Sequence, residues 1–156
     1  MDACIRKAEV RDFDRVADIN KVLSNVFERK LGYIPEHVAK ISDSRVAEIS
    51  NNCFVYDREN EILGAMIFGY YSNSVEIFSL AVDSKVRGCG VGKSLVDFVK
   101  EDMVLKGVEN LNVVTWEGFE VEGFYKKMGF EFKFKRMSGG QWDSFLNFNY
   151  NSSRGC

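Results

Sequence analysis

The chain is poor in histidine, in proline and in long apolar runs. Its 156 residues hold one histidine, His37, and one proline, Pro35. A single histidine leaves a mixed cysteine–histidine zinc site short of ligands. Cys4, Cys53, Cys89 and Cys156 have neither metal-ligand nor disulfide-framework spacing. A reduced, cytoplasmic protein without a metal is therefore expected. No apolar run approaches the ~20 residues that cross a bilayer. The opening MDACIRKAEVRDF is charged and lacks the apolar stretch of a signal peptide. A net charge of −2 gives no field to attract nucleic acid or an anionic membrane, so neither is expected as a partner.

What is present suits a self-supporting fold. With 46% hydrophobic and 28% charged residues the composition is globular. A chain of this length buries roughly 70% of its unfolded surface and needs no covalent staple. One domain over residues 1–150 is expected, with the polar residues 151–156 frayed.

Period-3 and period-4 spacing of Phe13, Val16, Ala17, Asn20, Leu23 and Phe27 predicts a helix over 13–30, after a short strand at 4–9 and an N-cap at Asp12. Gly32 stops it. A second helix is expected after Pro35, with Val38, Ile41, Val46 and Ile49 on one face. Strands at 53–57, 62–72 and 75–82, joined by short polar turns, predict an antiparallel meander. A helix over 91–106 follows, then a buried strand LNVVTW at 111–116 and a short helix at 119–128. FEFKFKRM (130–137) alternates, which puts Phe130, Phe132 and Phe134 on one face. QWDSFLNFNY (141–150) closes a hairpin with it, with Trp142, Leu146, Phe148 and Tyr150 sharing a face. The order βααβββαβαββ belongs to the α/β or α+β classes, a mixed sheet covered by helices.

The strongest local signal is SLAVDSKVRGCGVGKSL (79–95), a strand, a polar turn, a glycine-rich loop and a helix. Gly88, Gly90 and Gly92 let successive amides point outward together. The helix start near Val91, with Arg87 and Lys93, adds positive field, so a pyrophosphate is the natural guest. A Rossmann fingerprint fails because the sixth position from Gly88 is Lys93 rather than glycine. A P-loop fails because its first glycine falls on Arg87. A helix entry that merely happens to be glycine-rich is the bland alternative.

Arg87-x-x-Gly90-x-Gly92, placed after a strand ending Leu80-Ala81-Val82, resembles the acyl-CoA signature of the GNAT superfamily of N-acetyltransferases. GFYKKMGFEF (123–132) is similar to that family's last helix and the strand after it. The resemblance is specific over residues 75–132 and architectural before them. It implies a mostly antiparallel sheet splayed between the fourth and fifth strands, with acetyl-CoA as co-substrate. The pyrophosphate would lie on the backbone of Val86, Arg87, Gly88, Cys89, Gly90, Val91, Gly92 and Lys93, with Ser94 adding a hydroxyl. The pantetheine arm would follow Leu80, Ala81 and Val82. Many members carry a cofactor-contacting asparagine where this chain has Gly118.

For the chemistry, Tyr125 holds the position of the family's tyrosine and is the expected acid toward the leaving thiolate. Glu76 is the expected base, at the start of the strand bearing the cofactor contacts. Sharing a face with Phe78 and Leu80 would desolvate its carboxylate and favour its taking a proton. The competing reading is a solvated strand-end carboxylate, and Glu117 is the reserve base. Cys89 has no histidine to activate it as a nucleophile, and His37 has no serine–acid partnership. The acceptor implied is a small-molecule or peptide amine, flanked by Arg29 to Glu36 and by Met137 to Gln141, on a monomer or homodimer. Two other readings stay open: a non-catalytic acyl-CoA sensor, and a nucleotide-binding domain using Gly88 to Ser94.

Overall fold

The computed structural model describes residues 3–34, 52–116, 121–137 and 144–155. The described elements are β1 (Ala3–Lys7), α1 (Phe13–Leu31), β2 (Cys53–Arg58), β3 (Glu61–Tyr70), β4 (Ser74–Val82), α2 (Val91–Leu105), β5 (Asn110–Trp116), α3 (Glu122–Lys127), β6 (Glu131–Met137) and β7 (Ser144–Asn151). The strands are ordered β1-β2-β3-β4-β5-β7-β6. β4–β5 is parallel, while β1–β2, β2–β3, β5–β7 and β6–β7 are antiparallel. This is the mixed, mostly antiparallel sheet expected. The helix predicted after Pro35 lies outside the described residues.

Contacts group the chain into two compact units. The first holds Met1–Gly69 and Ser79–Phe98. Here Val16 and Ile19 of α1 pack on Cys53, Val55, Ile62, Ala65, Ile67 and Ala81, the helix turning its 3- and 4-spaced face inward. β3 is buried without a break from Ile62 to Phe68, as a strand covered on both faces must be. Gly64 is why α2 starts close to β3. A Cβ there would meet Val91 Cγ1 at 2.7 Å and Leu95 Cδ1 at 3.2 Å.

Asp12 departs from expectation. It stands at the N-cap of α1 without capping it. Its carboxylate instead accepts from Arg6 at 2.7 and 3.1 Å and from the Glu9 amide at 2.8 Å. Arg6 also donates to Asp57 at 3.1 Å. A carboxylate only 5% exposed needs a cation more than a helix amide does. The Arg6 hydrogen bonds hold Asp12 below the usual carboxylate range.

The second unit holds Tyr70–Phe78 and Val99–Cys156. Its core includes Leu111, Val113, Met128, Phe130, Leu146 and Phe148. Gly129, at φ 90°, ends the α3 segment in the left-handed region as expected. Lys100 covers this end, donating to the Met128 carbonyl and lying 4.1 Å from the Tyr150 ring centre.

One further expectation is corrected here. The alternation of β6 is broken by a bulge, since Phe132 pairs with Phe148 but Phe134 pairs with Asn147. The extra residue, Lys133, turns Phe132 and Phe134 to opposite faces. Past residue 150 the chain continues in regular structure as far as Gly155. Asn151 ends β7, Ser152–Gly155 form a 3-10 turn, and the Ser152 amide donates to the Glu109 carbonyl at 2.9 Å.

Candidate active site

The glycine-rich loop sits in the first unit, between β4 and α2. Gly88 and Gly90 adopt φ of 77° and 88°, which a residue with a Cβ enters at a cost of about 1–2 kcal/mol. The first intrahelical bond of α2 runs from the Ser94 amide to the Gly90 carbonyl at 2.9 Å. By helix geometry the amides of Gly90, Val91, Gly92 and Lys93 are then the four donors without an intrahelical acceptor. The amides of Arg87 and Cys89 are already used within the turn, on Ser84 and Val86. Within the Val86–Lys93 span, the Val86 amide is likewise used, on Asp83. Arg87 is exposed, whereas Lys93 pairs with Asp97 at 2.8 Å. The Ser94 hydroxyl donates back to the Gly90 carbonyl at 2.9 Å. Leu80 and Val82 are half-buried, Ala81 is buried and Cys89 is exposed.

Glu76 and Tyr125 belong to the second unit. Parallel pairing of β4 with β5 runs from Ser74↔Asn110 to Ile77↔Val113, while both strands run on beyond it. Glu76 stands one residue before that limit. Its carboxylate accepts from Asn112 Nδ2 at 3.0 Å. Asn112 in turn accepts from Asn149 at 2.7 Å, and Asn110 accepts from Asn149 at 3.3 Å and from Asn151 at 3.0 Å. The expectation that Glu76 shares a desolvated face is not met. On β4 the buried residues are Val75, Ile77, Ser79 and Ala81, and Glu76 itself is half-buried.

Tyr125 is buried, with its ring 5.3 Å from that of Phe130 and 6.3 Å from that of Phe148. Burial pushes its phenol above the ordinary tyrosine range, so it stays protonated at neutral pH. The register fixes its side of the sheet. Phe148 opposes Val113, whereas Asn149 opposes Asn112, which in turn pairs with Glu76. Because alternate residues face opposite ways, Glu76 and Tyr125 lie on opposite faces of the β4–β5 pair.

The asparagine array was missed by sequence reasoning. Its signal was available in the period-2 recurrence of Asn110 and Asn112, and of Asn147, Asn149 and Asn151. Glu117, Gly118, Glu36, His37 and Trp142 lie outside the described residues.

Residues 50–132 match the acetyltransferase (GNAT) domain family, more than half of the chain. The chain belongs to the GNAT acetyltransferase family. It is an acyl-CoA-dependent acetyltransferase. An uncharacterised N-acetyltransferase of Chlorobaculum tepidum is 28% identical over 132 residues, covering 83% of this chain and 76% of that protein. The fold is shared with an N-acetyltransferase from Staphylococcus aureus Mu50 at a TM-score of 0.76 and 19% identity, over 97% of this chain and 99% of that one. It is also shared with the PaiA N-acetyltransferase of Thermoplasma acidophilum, solved with coenzyme A, at a TM-score of 0.73 and 16% identity, over 94% and 98%. Among the described residues no helix of this GNAT acetyltransferase is long and apolar enough to cross a membrane.

Proposed function

We propose that residues 1–150 transfer an acetyl group from acetyl-CoA to a primary amine by direct attack in a ternary complex. The observation that carries this is the placing of Glu76 and Tyr125 on opposite faces of the β4–β5 pair, beside the point where its pairing ends. Catalysis then needs no relay through a covalent enzyme intermediate.

The amine nitrogen attacks the thioester carbonyl from the Glu76 face, forming the N–C bond. An amine near pKa 10 is mostly protonated at neutral pH. Glu76, directly or through one water, takes the proton that frees the lone pair, and the second proton, acidified once the N–C bond has formed, passes to solvent. As the C–S bond breaks, the Tyr125 phenol holds a hydrogen bond on the departing sulfur and delivers its proton, which solvent restores. The coenzyme's pyrophosphate is bound by the amides of Gly90, Val91, Gly92 and Lys93 with Arg87, and the pantetheine by the backbone of Leu80 to Val82. These roles are supported by the orphan amides and by the resemblance of Arg87-x-x-Gly90-x-Gly92 and of the segment bearing Tyr125 to the family signature.

Two measurements test the reading. Acetyl-CoA at ~100 times its dissociation constant should stabilise the fold by about 2.7 kcal/mol, and ATP with magnesium at equal concentration should not. Thiol should then be released on addition of a primary amine. Binding without thiol release from any amine would leave a sensor in place of an enzyme.

A further inference from the structure

Asp83 stands between the end of β4 and the glycine loop, and its two carboxylate oxygens do different things. One accepts the Lys85 amide at 2.9 Å and so caps the 3-10 turn Ser84–Val86. The other accepts from Arg15 Nη2 at 2.6 Å. Arg15 reaches this point from the first turn of α1, and its Nε donates to the Ile62 carbonyl at 3.2 Å. One guanidinium fork thus joins the start of β3 to the root of the loop. The turn then hands its shape on through the main chain. The Val86 amide bonds the Asp83 carbonyl at 3.1 Å, and the Cys89 amide bonds the Val86 carbonyl at 3.2 Å. All of these residues belong to the first unit. The Asp83 side chain is only 17% exposed. That separates the pair from Lys85–Glu61 on the same turn, which is open to solvent and screened. The Lys85 amide and Arg15 hold Asp83 below the usual carboxylate range, so it is charged at neutral pH.

We infer that Arg15 and Asp83 are positioning residues for acetyl-CoA: their pairing holds the Ser84–Val86 turn, and through it keeps the glycine loop in the shape that takes the coenzyme's diphosphate. This rests on the reading of that loop as the diphosphate site and extends it to two side chains that reading does not place against the ligand. Without Arg15, Asp83 keeps its cap on the turn and loses its side-chain tie to α1 and β3. A loop that holds its binding shape a tenth of the time binds about a tenth as tightly. The sign of the effect separates a brace from an electrostatic field. Charges acting on the diphosphate from a distance would make Arg15→Met weaken binding and Asp83→Asn, which removes a negative charge, strengthen it. A brace fails from either end, so both substitutions weaken it. Asparagine has one accepting oxygen where aspartate has two, so it serves the Lys85 amide or Arg15 and not both.

The dissociation constant of acetyl-CoA is measured calorimetrically on the full chain for the parent, Arg15→Met, Asp83→Asn and the double variant. Each single variant should bind about tenfold more weakly. The double should also lose about tenfold rather than a hundredfold, because the second change removes nothing further. With saturating acetyl-CoA and amine, kcat should stay within about twofold of the parent, which separates lost co-substrate binding from general damage. Circular dichroism checks each fold, and Asp83→Asn, which keeps the side chain's shape, carries the test alone if Arg15→Met does not fold. Tighter binding in Asp83→Asn, parent-like binding in both single variants, or fully multiplicative losses in the double would overturn the inference. Arg87→Gln tells the two possible failures apart. Weaker binding there beside parent-like Arg15→Met and Asp83→Asn would keep the diphosphate on the loop and remove the brace. Parent-like binding there beside tenfold losses in the other two would leave the brace and remove the diphosphate from Arg87.

Discussion

Asn112 donates its side-chain amide to Glu76 across the parallel β4–β5 pair at 3.0 Å, and is itself held by Asn149 at 2.7 Å. The bond fixes the direction of the carboxylate before any acceptor arrives. On the role proposed for Glu76, Asn112 is a positioning residue. Asn112→Val should lower kcat/KM by about tenfold, since a misplaced reacting group is costly. Glu76→Gln should lower it roughly a hundredfold, since no carboxylate is then there to accept the amine's proton. A loss in Asn112→Val without one in Glu76→Gln would mean the asparagine acts by itself.

Tyr125 offers a separation of packing from chemistry. Its ring fills space against Phe130 and Phe148, and phenylalanine keeps that ring. Tyr125→Phe should fold with an unaltered circular dichroism spectrum while kcat falls by about a hundredfold. Turnover at the parent level would end the role of the phenol.

Arg6 holds two carboxylates, Asp12 and Asp57. Arg6→Met would leave the buried Asp12 charge uncompensated, at a cost of about 3 kcal/mol near neutral pH. Because Asp12 is held below its ordinary value of 3.8, its stabilising contribution is present above that pH and is lost as pH falls through the lowered folded value. Urea denaturation of parent and variant should therefore differ most at pH 7 and converge toward pH 3.

Cys53 governs the alkaline side. Burial raises its thiol from 9.0 to about 12. Its contribution is full below pH 9 and is lost as pH rises toward 12, because the unfolded chain ionises first. Between pH 8 and 10 one such thiol removes about 1.4 kcal/mol of stability. Cys53→Ala should show a flatter loss over that interval, whatever its stability at pH 8. Tyr70 and Tyr125, also raised, enter above pH ~10 in both proteins.

The glycine loop was legible in sequence because its signal is local. Gly88 and Gly90 take the left-handed conformations that their spacing announces. Asp12 was misread because its carboxylate is taken by Arg6 and the Glu9 amide, and Arg6 is held in place by Asp57, 45 positions from Asp12 in the chain. The bulge at Lys133 was hidden for the same reason, since register on β7 decides it and no residue of β6 signals it. The asparagine array shows its period but not its partners. That Glu76 faces the open side of β4 followed only from knowing which of two alternating sets was buried.

Gly64 has an effect beyond its own strand. With hydrogen in place of a methyl group, the first turn of α2 rests almost on the main chain of β3, braced by Val91 and Leu95. The amides of Val91, Gly92 and Lys93 ride on that first turn, so under the proposed binding mode an incoming diphosphate would meet a seat already set rather than one that must be frozen around it. Little of the association free energy would then go to ordering, and Gly64→Ala should loosen the hold on the donor without touching a reacting atom.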